Sequence, residues 1–140
     1  MMVSPNDTDL IIPDDLSYDK EDPSFQLTNC VSLKRIVVGK HCFHRIQLFE
    51  LDGLSQLESI VIGQYSFEYS CSLLTGKRDG RYRILNCPKL KSIQIGSESF
   101  SNYYSFELEN LPSLQSIQMG YDCFTSSPCF SLTGWIVQLI

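Results

Sequence analysis

The segment LKSIQIGSESF, residues 90–100, returns almost unchanged one short period later as LQSIQMGYDCF, residues 114–124. Two earlier segments follow the same pattern, LKRIVVGKHCF at 33–43 and LESIVIGQYSF at 57–67. The glycines of the four copies are Gly39, Gly63, Gly96 and Gly120, so the steps in residue number between them are 24, 33 and 24. A fixed period of this length predicts a solenoid, in which each repeat forms one coil that stacks on the next.

A second phrase recurs between these segments with the same spacing. It begins with an aromatic residue and alternates apolar and polar positions. Its copies are FQLTN at 25–29, FELDG at 49–53, YRILN at 82–86, FELEN at 106–110 and FSLTG at 130–134. Both phrases place one insertion of nine residues between Phe67 and Tyr82. The two phrases therefore share one register along the chain.

The apolar positions within one copy predict β-strands. Ile93 and Ile95 are two residues apart, which is the period of a strand with one buried face, and Gly96 ends this strand. The second phrase predicts another short strand. Only about five residues lie between the two strands, whereas a stable helix needs roughly ten or more. The sequence thus predicts a mainly β solenoid of about four to five 24-residue coils, each with two short parallel strands and little helix.

The pattern L-x-x-L-x-L, followed by a turn and a buried phenylalanine, resembles a leucine-rich repeat. It is most similar to the BspA-like, or Treponema-type, variety found in unicellular eukaryotes, and the resemblance covers about residues 25–124. The asparagine that usually follows the strand is replaced here, so a conventional asparagine ladder is not expected; the replacements are His41, Tyr65, Glu98 and Asp122. The resemblance implies a non-enzymatic protein-interaction module that binds a protein or peptide through its concave sheet.

The chain of 140 residues has the size of one domain and divides into three parts. Residues 1–23 hold seven acids against Lys20 and form either an ordered cap, with 10–12 as an apolar strand, or a disordered acidic tail. Residues 24–134 form the leucine-rich repeat solenoid, with an insertion loop at 74–82. Residues 135–140 form a truncated apolar end.

The apolar C-terminal end predicts self-association. In the 24-residue register Trp135 takes the place of Leu111, and Gln138 stands where the next leucine is due. We expect the preceding strand, with Ile117 and Met119, to be partly uncovered, and uncovered sheet edges recruit other chains. The same feature suggests the alternative that the chain is a fragment of a longer structural or adhesive repeat array.

The six cysteines are expected to be unpaired structural thiols. Cys30 and Cys87 occupy positions where other coils have leucine, and Cys42 and Cys123 occupy positions where other coils have serine. The remaining two, at 71 and 129, have no evident mates. Buried free cysteine behaves as a small hydrophobic residue. Unpaired thiols suit a reducing compartment, and the N-terminus lacks the pattern of a secretory signal, so the expected location is cytoplasmic.

The predicted binding face is the outward side of the strand that precedes each glycine. Its side chains are small, uncharged or mildly polar, with bases near the N-terminal end. Three rows make up this face: Arg35, Ser59, Ser92 and Ser116; Val37, Val61, Gln94 and Gln118; and Lys40, Gln64, Ser97 and Tyr121. Such a stripe suits a protein or an extended peptide, and the plain alternative is a merely soluble sheet face.

A basic insertion provides a different candidate site. Its cations are Lys77, Arg78, Arg81 and Arg83. A loop of this kind could contact a polyanion such as a nucleic acid, whereas the alternative is a solvated loop that pairs with the acidic N-terminal segment. Outside residues 1–23 the chain holds nine acids and ten bases, so nucleic acid is an unlikely partner.

Catalytic and metal-binding patterns are weak. HCFH at 41–44 offers two histidines and a cysteine without a second cluster, which is poor evidence for zinc. No set of serine, histidine and aspartate, or of paired carboxylates, recurs in a shared register. The sequence predicts no enzyme, no cofactor and no metal, and no apolar run approaches the roughly 18 residues of a membrane span.

Overall fold

A computed structural model of the chain describes residues 3–16, 24–68, 80–101 and 103–124, together with the backbone of the strand at 137–139. These residues form ten β-strands and no helix. The strands are β1 (Asp9–Ile12), β2 (Ser24–Leu27), β3 (Arg35–Val38), β4 (Leu48–Asp52), β5 (Ser59–Ile62), β6 (Gly80–Leu85), β7 (Ser92–Ile95), β8 (Tyr103–Glu109), β9 (Ser116–Met119) and β10 (Val137–Leu139).

The strands alternate between two parallel sheets that run along the solenoid. The first sheet has the order β1-β3-β5-β7-β9-β10, and the second has the order β2-β4-β6-β8. Ser59 pairs with Arg35 on one side and with Ser92 on the other, so the coils follow the steps of the sequence, including the longer step across the insertion. The predicted fold class is therefore confirmed: a mainly β solenoid of about four turns, with parallel strands at a 24-residue spacing.

Aromatic side chains form two ladders in the core between the sheets. One ladder stacks rings from the second sheet, with centroids 4.8–5.1 Å apart: Phe25, Phe49, Tyr82 and Phe106. The other stacks the phenylalanines of the turns, with centroids 4.8–5.2 Å apart: Phe43, Phe67, Phe100 and Phe124. The ladders meet edge to face, as between Phe49 and Phe67 at 5.1 Å. Ring pairs in these geometries add about 0.5–1.5 kcal/mol each beyond the burial of area.

A glycine follows each of β3, β5, β7 and β9, and the close approach of neighbouring coils requires it. A Cβ atom on Gly63 would lie 2.5 Å from the carbonyl carbon of Gly39. One on Gly96 would lie 2.5 Å from the backbone nitrogen of Gln64. Contacts this short do not occur between a Cβ and backbone, so the repeated glycine reflects the stacking distance between coils.

The turns after these glycines adopt the left-handed backbone conformation at two positions in each coil. The first position, with φ between 56° and 60°, is occupied by His41, Tyr65, Glu98 and Asp122. The second, with φ between 52° and 58°, is occupied by the phenylalanines of the turn ladder. Left-handed backbone costs a non-glycine residue about 1–2 kcal/mol. Hydrogen bonds between coils offset that cost, since the His41 N–H donates to Gln64 O at 2.9 Å and the Glu98 N–H donates to Tyr121 O at 2.8 Å.

Serine and cysteine side chains at the residue between the two left-handed positions form a ladder of hydrogen bonds that links neighbouring coils. The Ser66 hydroxyl donates to Gly39 O at 2.8 Å and accepts the N–H of Cys42 at 3.2 Å. Ser99 repeats both bonds one coil later, donating to Gly63 O at 2.8 Å and accepting from Ser66 N–H at 3.2 Å. The Cys123 thiol donates to Gly96 O at 3.2 Å. This ladder joins the turns of neighbouring coils.

A short asparagine ladder nevertheless forms at the other turn, after the second sheet. The Asn110 side-chain amide donates to the Asn86 side-chain oxygen at 2.9 Å, and the Asn86 amide donates to Asp52 Oδ1 at 2.9 Å. Asn86 and Asn110 both adopt the left-handed conformation, which asparagine tolerates better than most residues. The sequence pattern did not indicate this ladder.

The N-terminal segment covers one end of the first sheet. Strand β1 pairs in parallel with β3, and Ile12 is buried while Ile11 faces outward. Asp14 Oδ1 accepts the N–H of Lys40 at 2.8 Å, and Asp9 forms a salt bridge of 3.0 Å with Arg35. Residues 9–12 thus form a strand that pairs with β3, and residues 17–23 of this segment lie outside the described residues.

The C-terminal strand differs from the sequence-based expectation. Val137 pairs with Ile117, which is a shorter step than that of the 24-residue register, where Gln138 was placed opposite Leu114. Strand β10 therefore covers the edge of β9, and Ile117 and Met119 are buried rather than partly uncovered. Trp135 and the final phrase at 130–134 lie outside the described residues.

Candidate binding face

The outward side of the first sheet brings the three predicted rows together. Neighbouring strands pair Arg35, Ser59, Ser92 and Ser116 in one register, and Val37, Val61, Gln94 and Gln118 in the next. The third row, which follows the strands, is exposed at Lys40, Gln64 and Tyr121. Ser97 differs from the prediction, because only 8% of it is exposed. The residues between these rows, such as Ile60 and Ile93, are fully buried, which fixes the orientation of the strands.

A shallow depression of about 270 Å³ lies on this face between β5, β7 and β9. Its rim and floor include residues of all three central coils: Val61, Ile62, Gln64, Gln94, Ile95, Gly96, Ser97, Gln118 and Gly120. Five of these belong to the predicted binding face. Small-molecule sites usually enclose about 300–1,000 Å³. The depression is slightly below this range.

Charge on this face is confined to its N-terminal end, where Arg35 is paired and Lys40 is exposed. Arg35 Nε contacts Asp9 Oδ1 of β1 at 3.0 Å. From β5 to β9 the outward positions of the strands carry only serine, valine and glutamine. A surface of this kind offers hydroxyl and carboxamide groups to a partner and has no net charge to neutralise.

The outward side of the second sheet is chemically different, because its side chains bond one another. Arg83 Nη1 contacts Glu50 Oε2 at 2.6 Å and Arg83 Nε contacts Glu107 Oε2 at 3.0 Å, which links three neighbouring strands. Arg81 Nη2 contacts Glu107 Oε1 at 3.2 Å, and Gln26 donates to Glu50 Oε1 at 3.2 Å. This ion-pair ladder pairs charged side chains of neighbouring coils with one another.

The ion-pair ladder corrects the prediction for the basic insertion. Arg81 was expected in a loop at 74–82, and Arg83 was grouped with its cations, yet β6 begins at Gly80 and both arginines lie on this strand. Their partners are the glutamates of adjacent coils rather than the acidic N-terminal segment. The other two cations of the predicted site, Lys77 and Arg78, lie outside the described residues.

The pKa of Glu107 reflects these contacts. Burial alone raises the pKa of this carboxyl group, but hydrogen bonds from Arg81 and Arg83 and their charges outweigh burial, and the pKa is lowered. The same hydrogen bonds, led by the one to Glu107, raise the pKa of Arg83. Glu107 is therefore ionised throughout the neutral pH range.

The HCFH segment is part of the coil architecture. The Cys42 thiol is buried and donates to Pro13 O at 3.2 Å, and the His41 ring stacks on Tyr65 with centroids 5.0 Å apart. Phe43 is buried in the turn ladder. Within the described ranges, no group of three or more histidine, cysteine or acidic side chains could hold a metal ion.

Four cysteines lie in the described part of the chain, and all four are free thiols. Cys30, Cys42 and Cys87 are buried and Cys123 is partly exposed. Burial is the largest effect on the pKa of each thiol and raises it, which keeps the group protonated and unreactive. The cysteines at 71 and 129 lie outside the described residues.

Comparison of the chain with protein-family models, with curated proteins and with solved structures finds no match in any of the three. Among the residues that the structure describes, no helix has the length and apolar character needed to cross a membrane.

Proposed function

We propose that this chain is a non-enzymatic interaction module of the leucine-rich repeat kind, which binds a protein or an extended peptide through the outward face of its first sheet. One observation carries the proposal: the two sheets have opposite surface chemistry. The second sheet pairs Arg81 and Arg83 with Glu50 and Glu107 in an ion-pair ladder, whereas the first presents hydroxyls, carboxamides and aliphatic groups around a depression. The cores of protein interfaces are depleted of charged residues, as this face is.

A capture experiment with three versions of the full chain tests the proposal. The face variant carries Val61→Arg and Gln94→Arg, both at outward positions of the first sheet. The control variant carries Gln26→Arg and Thr28→Arg, which add the same charge on the side of the second sheet. We expect proteins retained from a cell extract by the unmodified chain to be retained by the control variant and lost by the face variant. Equal retention by all three versions would contradict the proposal.

The BspA-like assignment belongs to this proposal as well. Its support is the repeat pattern in the sequence together with the 24-residue spacing of the coils in the solenoid. The bonding at the turns departs from the asparagine ladder of common leucine-rich repeats. Free buried thiols support a reducing, cytoplasmic setting as part of the same proposal.

Polyanion binding through the basic insertion is a second candidate with less support. Two of the four cations that motivated it, Arg81 and Arg83, are engaged by Glu50 and Glu107. The salt dependence of binding distinguishes the two candidate functions, since binding to a polyanion weakens steeply with ionic strength. Binding through the uncharged face should change little between about 50 and 200 mM salt.

The remaining candidate is a piece of a longer structural array. Parallel sheets that end in strands with one free edge could continue into further coils, as in other solenoids. Self-association of the 140-residue chain would support this alternative, and sedimentation measurements address it.

A further inference from the structure

The middle row of the first sheet changes character half-way along the solenoid. Ile11, Val37 and Val61 lie in register on β1, β3 and β5, and Gln94 and Gln118 continue the same row on β7 and β9. Ile11 is 62% exposed, Gln94 is exposed, and the two valines are half-buried. One end of the row is thus aliphatic and the other end carries carboxamides.

A row of hydroxyls runs beside this boundary. Ser59, Ser92 and Ser116 are in register on β5, β7 and β9, and each is half-buried. A hydroxyl both donates and accepts hydrogen bonds, as does a carboxamide, so these groups match the N–H and C=O groups of a peptide backbone. The depression of about 270 Å³ lies at the boundary itself, with Val61 and Gln94 on its rim.

We propose that this row recognises an uncharged, extended peptide segment that crosses the strands. An aliphatic side chain of the segment packs against Val37 and Val61, and a carboxamide or hydroxyl side chain bonds with Gln94. A charged side chain would lose hydration here without meeting an opposite charge, which disfavours acidic and basic segments. The inference rests on the proposed function and names the class of ligand that the face takes.

The coil spacing sets the distance between the two recognised side chains. Neighbouring strands lie about 4.8 Å apart, so the aliphatic pair on β3 and β5 is centred about 10 Å from the carboxamide pair on β7 and β9. An extended chain in the polyproline II conformation advances about 3.1 Å per residue and presents every third side chain on the same face. The aliphatic and the polar side chain of the segment are therefore about three residues apart.

A peptide selection with exchanged side chains tests this inference. The full 140-residue chain would be used to select from a library of random 12-residue peptides displayed on phage, in parallel with Val61→Gln and Gln94→Val. Both exchanges lie at outward positions and leave the buried side chains unchanged, and circular dichroism would verify the fold. The unmodified chain should enrich uncharged peptides with an aliphatic residue about three positions from asparagine, glutamine, serine or threonine.

The exchanges should alter the selected sequences in opposite directions. Gln94→Val should replace the polar residue of the motif by a second aliphatic residue, and Val61→Gln should favour a second polar residue. A synthetic peptide of the parent motif should bind each variant about tenfold more weakly, because each variant leaves a polar group unpaired. Selected sequences that do not change with either exchange, or that are predominantly charged, would overturn the inference.

The two proposals fail in distinguishable ways. If the arginine face variant loses captured partners but neither exchange alters the peptide motif, the binding face stands and the ligand class is wrong. If no version enriches any peptide, or if only a neutral polysaccharide binds, the peptide inference is overturned while protein capture still tests the face. Peptide binding that survives Val61→Arg with Gln94→Arg would place the site elsewhere and overturn both.

Discussion

Tyr82 carries a hydroxyl group in a ladder whose other members are phenylalanines. It is fully buried, and its hydroxyl oxygen has no hydrogen-bond partner among the described residues. Burial accordingly raises the pKa of Tyr82 far above its usual range. Tyr103 is also fully buried, but its hydroxyl donates to Ile46 O at 2.6 Å. The two tyrosines form a matched pair for measuring the cost of an unpaired hydroxyl.

Replacing Tyr82 by phenylalanine should stabilise the protein. An unpaired buried polar group costs about 1–3 kcal/mol, so we expect Tyr82→Phe to raise the free energy of unfolding by an amount in this range. Tyr103→Phe is the control and should lower it by about 1 kcal/mol, because the carbonyl of Ile46 loses its partner. Urea unfolding of the three proteins measures both values. A loss of stability in Tyr82→Phe would mean that its hydroxyl is bonded.

The cysteines offer a second comparison at the scale of single residues. Cys123 occupies a position of the serine ladder, where its thiol donates to Gly96 O, whereas Cys87 is fully buried where other coils have leucine. A hydroxyl is a stronger donor than a thiol. Cys123→Ser should therefore leave the melting temperature unchanged or raise it. Cys87→Ser should lower it, because Cys87 is fully buried and a hydroxyl costs more to bury than a thiol, while the thiol already donates to Leu85 O at 3.3 Å. Equal changes in melting temperature for the two variants would contradict this difference between the two sites.

At the scale of elements, the ion-pair ladder on the second sheet makes stability depend on pH. The pKa of Glu107 is lowered in the folded protein, so its pairs stabilise the fold above the unfolded pKa of about 4.3. That contribution is lost as the pH falls through the lowered folded pKa. Because the partners are partly exposed, Glu107→Gln should cost between a few tenths and about 1 kcal/mol at pH 7. The cost should shrink below about pH 4.

Thermal melts of the parent chain and of Glu107→Gln at several pH values measure this dependence. Glu109→Gln is the control, since Glu109 is exposed on the same strand and forms no salt bridge with the described residues. Its effect should stay small at every pH. A constant penalty for Glu107→Gln from pH 7 to pH 3 would show that the carboxylate charge is not what stabilises the ladder.

The strands themselves could be predicted from the sequence, while their side-chain partners could not. The alternation of Ile93 and Gln94 defines a buried and an outward position, and the glycine spacing aligns the coils, so rows of the binding face follow directly. The partners of Arg83 lie one coil away on either side, and short-range patterns do not reveal them. The start of β6 at Gly80 was missed because the arginines around Tyr82 resemble a loop by composition.

At the scale of the whole molecule, the repeat pattern of the sequence predicted the centre of the solenoid better than its first and last strands. Interior coils repeat one pattern, so an error in one copy is corrected by the others. The C-terminal strand departs from the 24-residue period, because Val137 pairs with Ile117 at a shorter step. The N-terminal strand has no counterpart in the repeat, and its pairing of Asp9 with Arg35 spans a slightly longer step. The first and last strands therefore pair with steps of their own rather than with the 24-residue period.

We expect strand β1 to limit self-association of the protein. Strand β1 and the residue before it supply Thr8 O to Lys34 N–H at 2.7 Å and Ile12 O to Gly39 N–H at 2.8 Å, and Ile12 is buried. Removing residues 1–14 would expose the edge of β3, and bare parallel edges recruit other chains. We expect this truncated chain to self-associate more strongly than the full chain in sedimentation experiments over a wide concentration range. A chain lacking only residues 1–6 keeps β1 and should sediment like the parent. If both truncated chains sediment alike, β1 is not the element that protects this end of the solenoid.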